Sequence, residues 1–485
     1  MGSFGSTLGT IFETYNTYVG TYALIFLLLP VGLLFTFRLG LLQLRGLGHA
    51  LQIVRGRYDN PKDPGDVNHF QALCAALSAT VGTGNIAGVA LAIYYGGPGA
   101  VFWLWVTGFL GMATKYAECT LAQKYRVVHE DGSVSGGPMY YIEQGCKKVL
   151  GPLARPLAVL FACGGILCSL GTGNMAQSNS MADAVNQFAL PLTGGFHVPH
   201  WAAGLLIAVL VGLVIVGGIK RIGQVAEKLV PLMAVVYVGA ALLVIAFNLE
   251  QVPLMLRLIF EGAFTGTGAT GGFIGSTFLL TARYGVARGL FSNEAGQGSA
   301  PIAHAAARTE YPVREGLVAL LEPLVDTLII CTLSAAVLIT TGAWSSGKMG
   351  AAMSFLAFEQ GLDLSVGNVS LGGAVVSLSL ILFAFTTAIS WSYYGDRCVG
   401  YLFGRRWVMP YRYLYCVFVF IGAVWAKELV WKFVDAVLTV MAVPNLIALL
   451  ILSPLVVRMT REYFAIEHVP VALAPAARES ELAEK

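Results

Sequence analysis

The chain has 485 residues, of which 56% are hydrophobic and 12% are charged. Soluble domains carry about 25% charged residues, so this composition excludes an ordinary soluble protein and predicts an all-α polytopic membrane protein. The formal net charge is only +3, and no basic run is long enough to bind a polyanion, so we expect no nucleic-acid partner.

Eleven segments approach the roughly 20 apolar residues that cross a bilayer. They are 20–44, 69–95, 97–123, 156–187, 201–219, 224–248, 254–285, 316–341, 368–394, 409–426 and 429–457. Lysine and arginine are concentrated in the loops after segments 1, 3, 5, 7 and 9. This asymmetry predicts an outside amino terminus and a cytoplasmic carboxyl terminus, with 461–485 as a cytoplasmic tail.

Segment 2 combines glycine with hydroxyl and amide groups at its centre. These residues are Thr80, Gly82, Thr83, Gly84, Asn85 and Gly88. Tight helix packing explains one such glycine, but three glycines beside an intramembrane asparagine favour a broken helix. Open backbone is tolerated at membrane depth where it lines an enclosed cavity. At such a break, free carbonyl groups coordinate a small cation and free N–H groups hold a carboxylate.

Segments 4 and 9 also carry polar groups within apolar surroundings. In segment 9, Thr386 and Thr387 offer uncharged hydroxyl oxygens that suit a hard cation, and Trp391 follows one turn later. The alternative is that both hydroxyl groups bond to their own helix. In segment 4, Asn174 and Gln177 share a face. That face points into the bundle or a water-filled cavity, or it makes interhelical hydrogen bonds without a ligand.

Segment 7 contains two stretches that interrupt a helix, at 264–276 and at 292–301. Arg283 and Arg288 favour the cytoplasmic interface, so we predict the break near Gly271–Gly275. Residues 292–301 are then predicted to form an inner loop beneath the bundle. Glu294 in that loop is structural, a partner in a gating ion pair, or neither.

Charged residues within the segments need partners. Lys115 and Glu118 lie three apart on segment 3, which predicts a pair. Glu322 and Asp326 lie four apart on segment 8 and are like-charged, so a shared wet cavity, a proton relay or pairing with arginine is open.

No nucleotide-binding or catalytic motif accompanies these charges. The chain has no phosphate-binding loop and no nucleophile elbow, so we expect neither ATP binding nor enzyme activity. The cysteines form no Cys-x-x-Cys pair, and no cofactor is predicted.

Four stretches resemble one family, the alanine or glycine:cation symporters (the sodium:alanine symporter family). They are Gly96-Gly-Pro-Gly-Ala-Val-Phe-Trp-Leu-Trp-Val-Thr-Gly-Phe-Leu-Gly111, Val81-Gly-Thr-Gly-Asn-Ile-Ala-Gly88, Gly136-Gly-Pro-Met-Tyr-Tyr141 and Ser292-Asn-Glu-Ala-Gly-Gln-Gly-Ser-Ala-Pro-Ile-Ala303. A small departure is Leu104, where the family more often has methionine. The resemblance implies a LeuT-type fold, with two inverted five-helix repeats and one extra amino-terminal helix. The implied units are 1–66 (first helix and loop), 67–250 (first repeat), 251–460 (second repeat) and 461–485 (tail).

The resemblance also implies a site between segments 2 and 9. The carbonyl groups of Ser78 and Val81 and the hydroxyl groups of Thr386 and Thr387 are the expected sodium ligands. Seven residues are expected at the substrate: Thr80, the amides of Thr83 and Gly84, Asn85 (or a second ion), Gln177 at the amino group, and Phe273 and Trp391 around the side chain.

The resulting hypothesis is a bacterial inner-membrane secondary transporter that imports alanine or glycine with sodium by alternating access. Proton-coupled symport and uncoupled facilitated diffusion of amino acids remain alternatives. An amino-acid sensor is a further alternative, although no signalling segment accompanies the bundle. The expected partners are therefore a small amino acid, sodium and the lipid bilayer.

Overall fold

The computed structural model describes residues 21–192, 195–265, 278–366, 369–425 and 427–470, together with residues 10, 14 and 15. In the first part of the chain the helices are α1 (Thr21–Arg38), α2 (Leu42–Arg45), α3 (Leu47–Val54), α4 (His69–Thr80), α5 (Val89–Gly96) and α6 (Ala100–Lys124). Strands β1 (Val127–Val128) and β2 (Val134–Ser135) form an antiparallel hairpin in which Val127 lies opposite Ser135.

Six further helices follow this hairpin. They are α7 (Pro138–Gly145), α8 (Lys147–Leu150), α9 (Ala154–Leu170), α10 (Ala176–Leu192), α11 (His200–Ile215) and α12 (Gly218–Phe247). A wide π-type turn, Gly171–Met175, connects α9 to α10, and another, Gly84–Gly88, precedes α5. Such turns replace regular helix at glycine-rich sequence and frequently occur at functional sites.

The second part of the chain begins with α13 (Val252–Thr265), α14 (Phe278–Asn293), α15 (Ala300–His304), α16 (Pro312–Ala319), α17 (Leu321–Pro323) and α18 (Thr332–Thr340). It continues with α19 (Ala351–Gly361), the hairpin of β3 (Ser365–Val366) and β4 (Val369–Ser370), α20 (Leu371–Phe403), α21 (Val408–Val424) and α22 (Lys427–Phe464). The π-type turn Leu324–Cys331 connects α17 to α18, and short 3-10 turns are Gly151–Leu153, Leu249–Gln251, Ala343–Ser345 and Arg405–Trp407.

Within the described part of the chain, six helical stretches are long and apolar enough to cross a membrane. They are Lys147–Ala189, Gly218–Phe247, Pro312–Thr340, Leu371–Phe403, Arg405–Val424 and Ala436–Phe464. The bent pair of α4 and Gly84–Gly96 makes a seventh if it is one span, and Phe26–Arg38 and α11 are shorter apolar helices. These stretches establish a helical membrane protein, whereas the count of eleven spans and the division into repeats stay predictions.

Segment 7 of the prediction is described only in part, as α13 (Val252–Thr265) and α14 (Phe278–Asn293). The predicted break at Gly271–Gly275 and the side chain of Phe273 lie outside the described residues.

The long helices enclose an interior that is polar as well as apolar. Helix α6 packs against α14 and α16, and α20 packs against α4 and α10. Side chains of Asn85, Lys115, Glu118, Glu322 and Asp326 are fully buried among these helices. A buried charge is costly unless it is paired. We therefore expect these polar side chains to have specific partners or ligands inside the bundle.

Candidate substrate and ion site

The interruption predicted in segment 2 is present. Helix α4 ends at Thr80, and its axis makes an angle of 49° with the helical stretch Gly84–Gly96. Asn85 stabilises the break, because its side-chain oxygen accepts a hydrogen bond from the Gly82 amide at 2.8 Å. The chain therefore leaves helical geometry in the middle of a buried segment, as the glycine pattern indicates.

Helix α20 lies directly against this break. The hydroxyl group of Thr387 donates to the Val81 carbonyl at 3.5 Å. A Cβ atom placed on Gly82 would lie 2.5 Å from Thr387 Oγ1, so only glycine permits this approach. One turn further on, the hydroxyl groups of Ser78 and Ser390 are hydrogen-bonded. Two expected sodium ligands, the Val81 carbonyl and the Thr387 hydroxyl, are thus in contact, whereas at Ser78 the group in contact with α20 is the hydroxyl and not the expected carbonyl.

Ser390 and Thr386 differ from the sequence prediction. Ser390 was not predicted as a ligand. Its spacing of three residues from Thr387, which places both on one helical face, could have indicated it. The hydroxyl group of Thr386 instead donates to the Phe383 carbonyl at 3.0 Å and lies 3.6 Å from Met233 Sδ on α12. In this conformation the structure brings Thr387, and not Thr386, to the break.

Two polar atoms beside the break are buried without a hydrogen-bond partner in the described part of the chain. They are the Thr83 hydroxyl oxygen and the Gln177 side-chain oxygen. Gln177 donates its amide group to the Thr172 carbonyl at 3.0 Å, and its free oxygen would lie 3.5 Å from a Cβ atom on Gly82. Unpartnered buried polar atoms are rare in native proteins and require an explanation, of which a bound solute is one.

Thr80 is buried but turned away from this group. Its hydroxyl group donates to the carbonyl groups of Ala76 and Leu77, each at 3.3 Å. Those contacts belong to its own helix, so the structure does not bring the Thr80 hydroxyl together with the unpartnered atoms of Thr83 and Gln177.

A second interruption lies against the first. Between α14 and α15 the backbone of residues 294–299 is buried and non-helical. Glu294, Gly296 and Gly298 have φ angles of +56°, +84° and +83°, a region that side chains disfavour. A Cβ atom on Gly84 would lie 3.2 Å from both the Phe291 ring and Ser292 Cα. The stretch predicted as an inner loop is therefore a helix interruption that adjoins the break of segment 2.

Side chains make hydrogen bonds to the second interruption, where Gln297 Oε1 alone among the described side-chain atoms of 294–299 is buried without a partner. Glu294 accepts hydrogen bonds from the Trp391 indole N–H at 2.9 Å and from the Ser299 hydroxyl group at 2.5 Å. The Asn445 amide group donates to the Gly296 carbonyl at 3.0 Å. Glu294 therefore joins α20 to the break, which supports its structural interpretation among the three that the sequence left open.

Asn85 and Asp326 connect the two interruptions. The Asn85 amide nitrogen donates to Asp326 Oδ1 at 2.6 Å and to Ser292 Oγ at 3.1 Å. The Ser292 hydroxyl group in turn donates to Asp326 Oδ2 at 2.8 Å. Both ends of the Asn85 amide are thus occupied by protein groups. Asp326 was absent from the predicted site. Its position as an acidic residue within an apolar segment could have indicated a place there.

Trp391 is held by close backbone packing from segment 4. The side chain is fully buried, and a Cβ atom on Gly173 would overlap the Trp391 side chain. The Tyr415 hydroxyl group donates to the Gly173 carbonyl at 3.0 Å and to the Ala388 carbonyl at 2.8 Å, which anchors the turn against α20. Trp391 therefore lies between the segment 4 turn and Glu294.

The predicted pair of Lys115 and Glu118 does not form. Lys115 Nζ lies 2.9 Å from Glu322 Oε2, whereas Glu118 accepts from the Asn445 amide group at 2.8 Å. Glu322 and Asp326 likewise have different partners rather than a shared cavity. Neighbouring helices supply these partners, so spacing along one helix could not reveal them.

The model of the Sodium:alanine symporter family matches residues 6–470. The chain belongs to this family. The sodium/alanine symporter AgcS of Methanococcus maripaludis is 41% identical over 94% of this chain and 97% of its own. An uncharacterized transporter of Haemophilus influenzae is 44% identical over 94% of this chain and 96% of its own.

One solved structure confirms the architecture. The crystal structure of MhsT in complex with L-phenylalanine has a TM-score of 0.52 and 13% identity, and the match covers 80% of this chain and 99% of MhsT. This sodium:alanine symporter family member therefore has the LeuT-type fold. It is a multi-pass membrane transporter for amino acid–cation symport and not an enzyme.

Proposed function

We propose that the protein imports alanine, and also glycine, together with sodium by alternating access across the bacterial inner membrane. The observation that carries the proposal is the pair of unpartnered buried atoms, Thr83 Oγ1 and Gln177 Oε1, beside a broken helix. A zwitterionic amino acid complements them, since its carboxylate accepts from a hydroxyl or amide group and its ammonium donates to an amide oxygen.

The proposed substrate site is formed by Thr83 and Gly84 at the carboxylate and Gln177 at the ammonium group. Trp391 and Phe273 are proposed to bound the side-chain space, with Thr80 and Asn85 as the supporting residues. Close approach of α20 and α14 to Gly82 and Gly84 leaves little room there. We therefore expect the site to favour alanine and glycine over larger amino acids.

The proposed sodium site is formed by Ser78, Val81 and Thr387, with Thr386 as a ligand that would have to change its hydrogen bond. Hard cations prefer oxygen ligands, and the carbonyl groups of Ser78 and Val81 with the neighbouring threonine hydroxyl groups would provide them. In the proposed orientation, the amino terminus is outside and 461–485 is cytoplasmic. The proposed units remain 1–66, 67–250, 251–460 and 461–485.

The proposal is tested by radiolabelled alanine uptake into proteoliposomes containing the purified protein. Inward sodium, inward proton and no gradient are compared, with Gln177→Met as the site variant and Gly239→Ala as the control. We expect accumulation only with sodium, its loss in Gln177→Met, and competition by unlabelled glycine. With about 100 mV, negative inside, one net positive charge per cycle supports roughly 50-fold accumulation.

Other results would favour the alternatives. Accumulation with a proton gradient alone would indicate proton-coupled symport. Equilibration without accumulation would indicate a facilitator, and alanine binding without movement would indicate a sensor.

A further inference from the structure

A continuous chain of ionisable side chains lies inside the protein, away from the proposed substrate site. We call it the inner relay, and its members are Asp59, His69, Glu315, His304, Glu322 and Lys115. His69 Nδ1 contacts Glu315 Oε2. Glu315 Oε1 lies 2.5 Å from His304 Nδ1, and Glu322 Oε1 lies 2.6 Å from His304 Nε2. Lys115 ends the chain at Glu322.

The geometry around His304 requires a proton. Both ring nitrogens of His304 face carboxylate oxygens at hydrogen-bond distance. A neutral imidazole donates from only one nitrogen, so either the ring or one of the carboxyl groups carries an additional proton. With Lys115 charged and both glutamates ionised, this one proton also makes the fully buried part of the relay neutral.

The opposite end of the relay provides an entrance for that proton. His69 Nε2 and Asp59 Oδ1 are 3.8 Å apart, and both are buried atoms without a hydrogen-bond partner in the described part of the chain. The Asp59 side chain is 31% exposed, whereas those of His69, Glu315, His304, Glu322 and Lys115 are 0% exposed. Asp59 is thus the point at which the relay meets solvent.

The relay joins the elements that flank the two helix interruptions. His69 begins α4, and His304 ends α15. Glu315 and Glu322 lie on α16 and α17, and Lys115 lies on α6. A movement of α4 about its 49° break would separate His69 from Glu315. Such a movement would leave Glu315 with one partner fewer and would open a path to His304.

Other ionisable groups surround the relay. Those that interact electrostatically with a relay member are Glu118 and Cys119 of α6, Tyr394 of α20, Arg314 of α16, and Arg126, Glu294, Arg308 and Asp326 of the adjacent loops and turns. Arg126 makes hydrogen bonds to the carbonyl groups of Ala305 and Ala307. Potential ligand atoms of Cys119, His304 and Glu322 lie within 4.8 Å of one another. Because both His304 nitrogens already face carboxylates, a proton fits this cluster better than a metal ion.

We propose that the inner relay is a proton-binding site that holds the Asp59 side of the transporter closed. One proton forms an N–H bond on His304, or an O–H bond on a facing glutamate, and it exchanges with bulk water through His69 and Asp59. Its loss leaves one uncompensated negative charge among buried carboxylates, which favours separation of α4 from α16. This inference rests on the proposed function, since it assumes alternating access.

Hydrogen exchange tests the inference without depending on transport. Exchange of the α4 backbone, 69–80, is measured between pH 6 and pH 8 in full-length protein and corrected for intrinsic rates. In wild type we expect corrected exchange to rise with pH, by at most about tenfold per unit for one proton. In His304→Gln we expect no such rise, whereas the control His200→Gln should behave like wild type.

A second variant keeps the test valid if His304→Gln does not fold. The double variant His304→Gln/Glu315→Gln removes one positive and one negative charge from the protonated relay, so it preserves neutrality. We expect it to fold and to show flat corrected exchange. An α4 response to pH that is unchanged in His304→Gln, or in the double variant if the single one does not fold, would overturn the inference.

Transport measurements separate this inference from the proposed function. Sodium-driven alanine uptake is expected to slow by up to about tenfold when the Asp59 side is acidified by one unit, and to become insensitive in a folded relay variant. Sodium-driven uptake with the same pH profile in wild type and that variant would refute the relay alone. Flat exchange in the variant without any sodium-driven uptake would refute the proposed function alone.

Discussion

The two helix interruptions adjoin each other but are built differently. At the first, glycines at 82 and 84 bring neighbouring helices close to the backbone, and Thr83 and Gln177 keep polar atoms unpartnered. At the second, residues 294–299, side chains of Ser299, Trp391 and Asn445 bond to the interrupted stretch. The unpartnered atoms at the first interruption lie on two facing elements, on Thr83 and Gln177, whereas side chains bond to the second interruption and its unpartnered side-chain atom among the described residues is Gln297 Oε1.

This difference indicates a division of roles. An interruption whose polar groups are mostly bonded to protein side chains serves as a support, because those bonded groups gain little from a ligand. An interruption with unpartnered atoms gains hydrogen bonds when a solute enters. Asn85 donates to Asp326 at 2.6 Å and to Ser292, near the end of α14, at 3.1 Å. Binding at the first interruption can therefore be transmitted to the helix that leads into the second.

The largest expected effect comes from breaking that connection. Asn85→Asp places a carboxylate against Asp326 Oδ1, and an unpaired buried charge costs about 3–5 kcal/mol. We expect a large fall in the amount of folded protein and loss of alanine uptake. Thermal unfolding in detergent and proteoliposome uptake measure the two effects.

A double variant that exchanges the amide and the carboxylate between the two positions is the control for this change. Asn85→Asp/Asp326→Asn restores one amide and one carboxylate at the same contact, so thermal stability should largely return. If Asn85→Asp alone matches wild type in stability and uptake, the connection between the interruptions has no energetic role.

Filling the first interruption should have the next largest effect. In Gly82→Ala, the new methyl group would lie 2.5 Å from Thr387 Oγ1, and relieving such overpacking costs about 1–3 kcal/mol. We expect the sodium concentration for half-maximal uptake to rise by about tenfold or more, since each 1.4 kcal/mol corresponds to tenfold. In the control Gly239→Ala, the added methyl group would meet no described side chain or other helix within 4 Å, so the half-maximal sodium concentration should stay unchanged. Equal values for the two variants would contradict the prediction.

The smallest expected effect is a difference in sodium dependence between variants of the adjacent residues Thr386 and Thr387. Thr387→Ala removes a hydroxyl group that contacts Val81, and we expect the half-maximal sodium concentration to rise about tenfold, or ~1.4 kcal/mol. Thr386→Ala removes a hydroxyl group bonded to its own helix and should have little effect in comparison. Sodium titration of initial uptake rates measures both, and a larger effect at Thr386 would reverse the proposed ion site.

Much of the first interruption could be predicted from the sequence, because its cause is local. Glycines at 82, 84 and 88 and the side chain of Asn85 lie within one turn or two of the break that they produce. The polar residues of this stretch, of segment 4 and of α20 mark candidate positions for a site, whereas their individual roles come from the family resemblance and stay predictions. Family resemblance then supplied the fold, which the family match and MhsT confirm.

The second interruption and the charged interior were harder to predict because their causes are distant in sequence. No local feature of segment 7 indicates that the end of α14, just before 294–299, packs against Gly84, and the predicted break at Gly271–Gly275 lies outside the described residues. Lys115 bonds to Glu322, 207 residues away, rather than to Glu118 one turn along. His69 and Glu315 are 246 residues apart, and neither residue carries a local signal of that contact.

The packing of Gly173 against Trp391 has a consequence for the history of the family. With no room for a methyl group beneath the indole, neither position can change freely while the other stays fixed. A lineage that acquires a larger residue at 173 has to acquire a smaller one at 391, and would thereby also lose the N–H donor to Glu294. We therefore expect residues 173 and 391 to change together among homologues. A homologue in which both differ should have a substrate pocket of different shape.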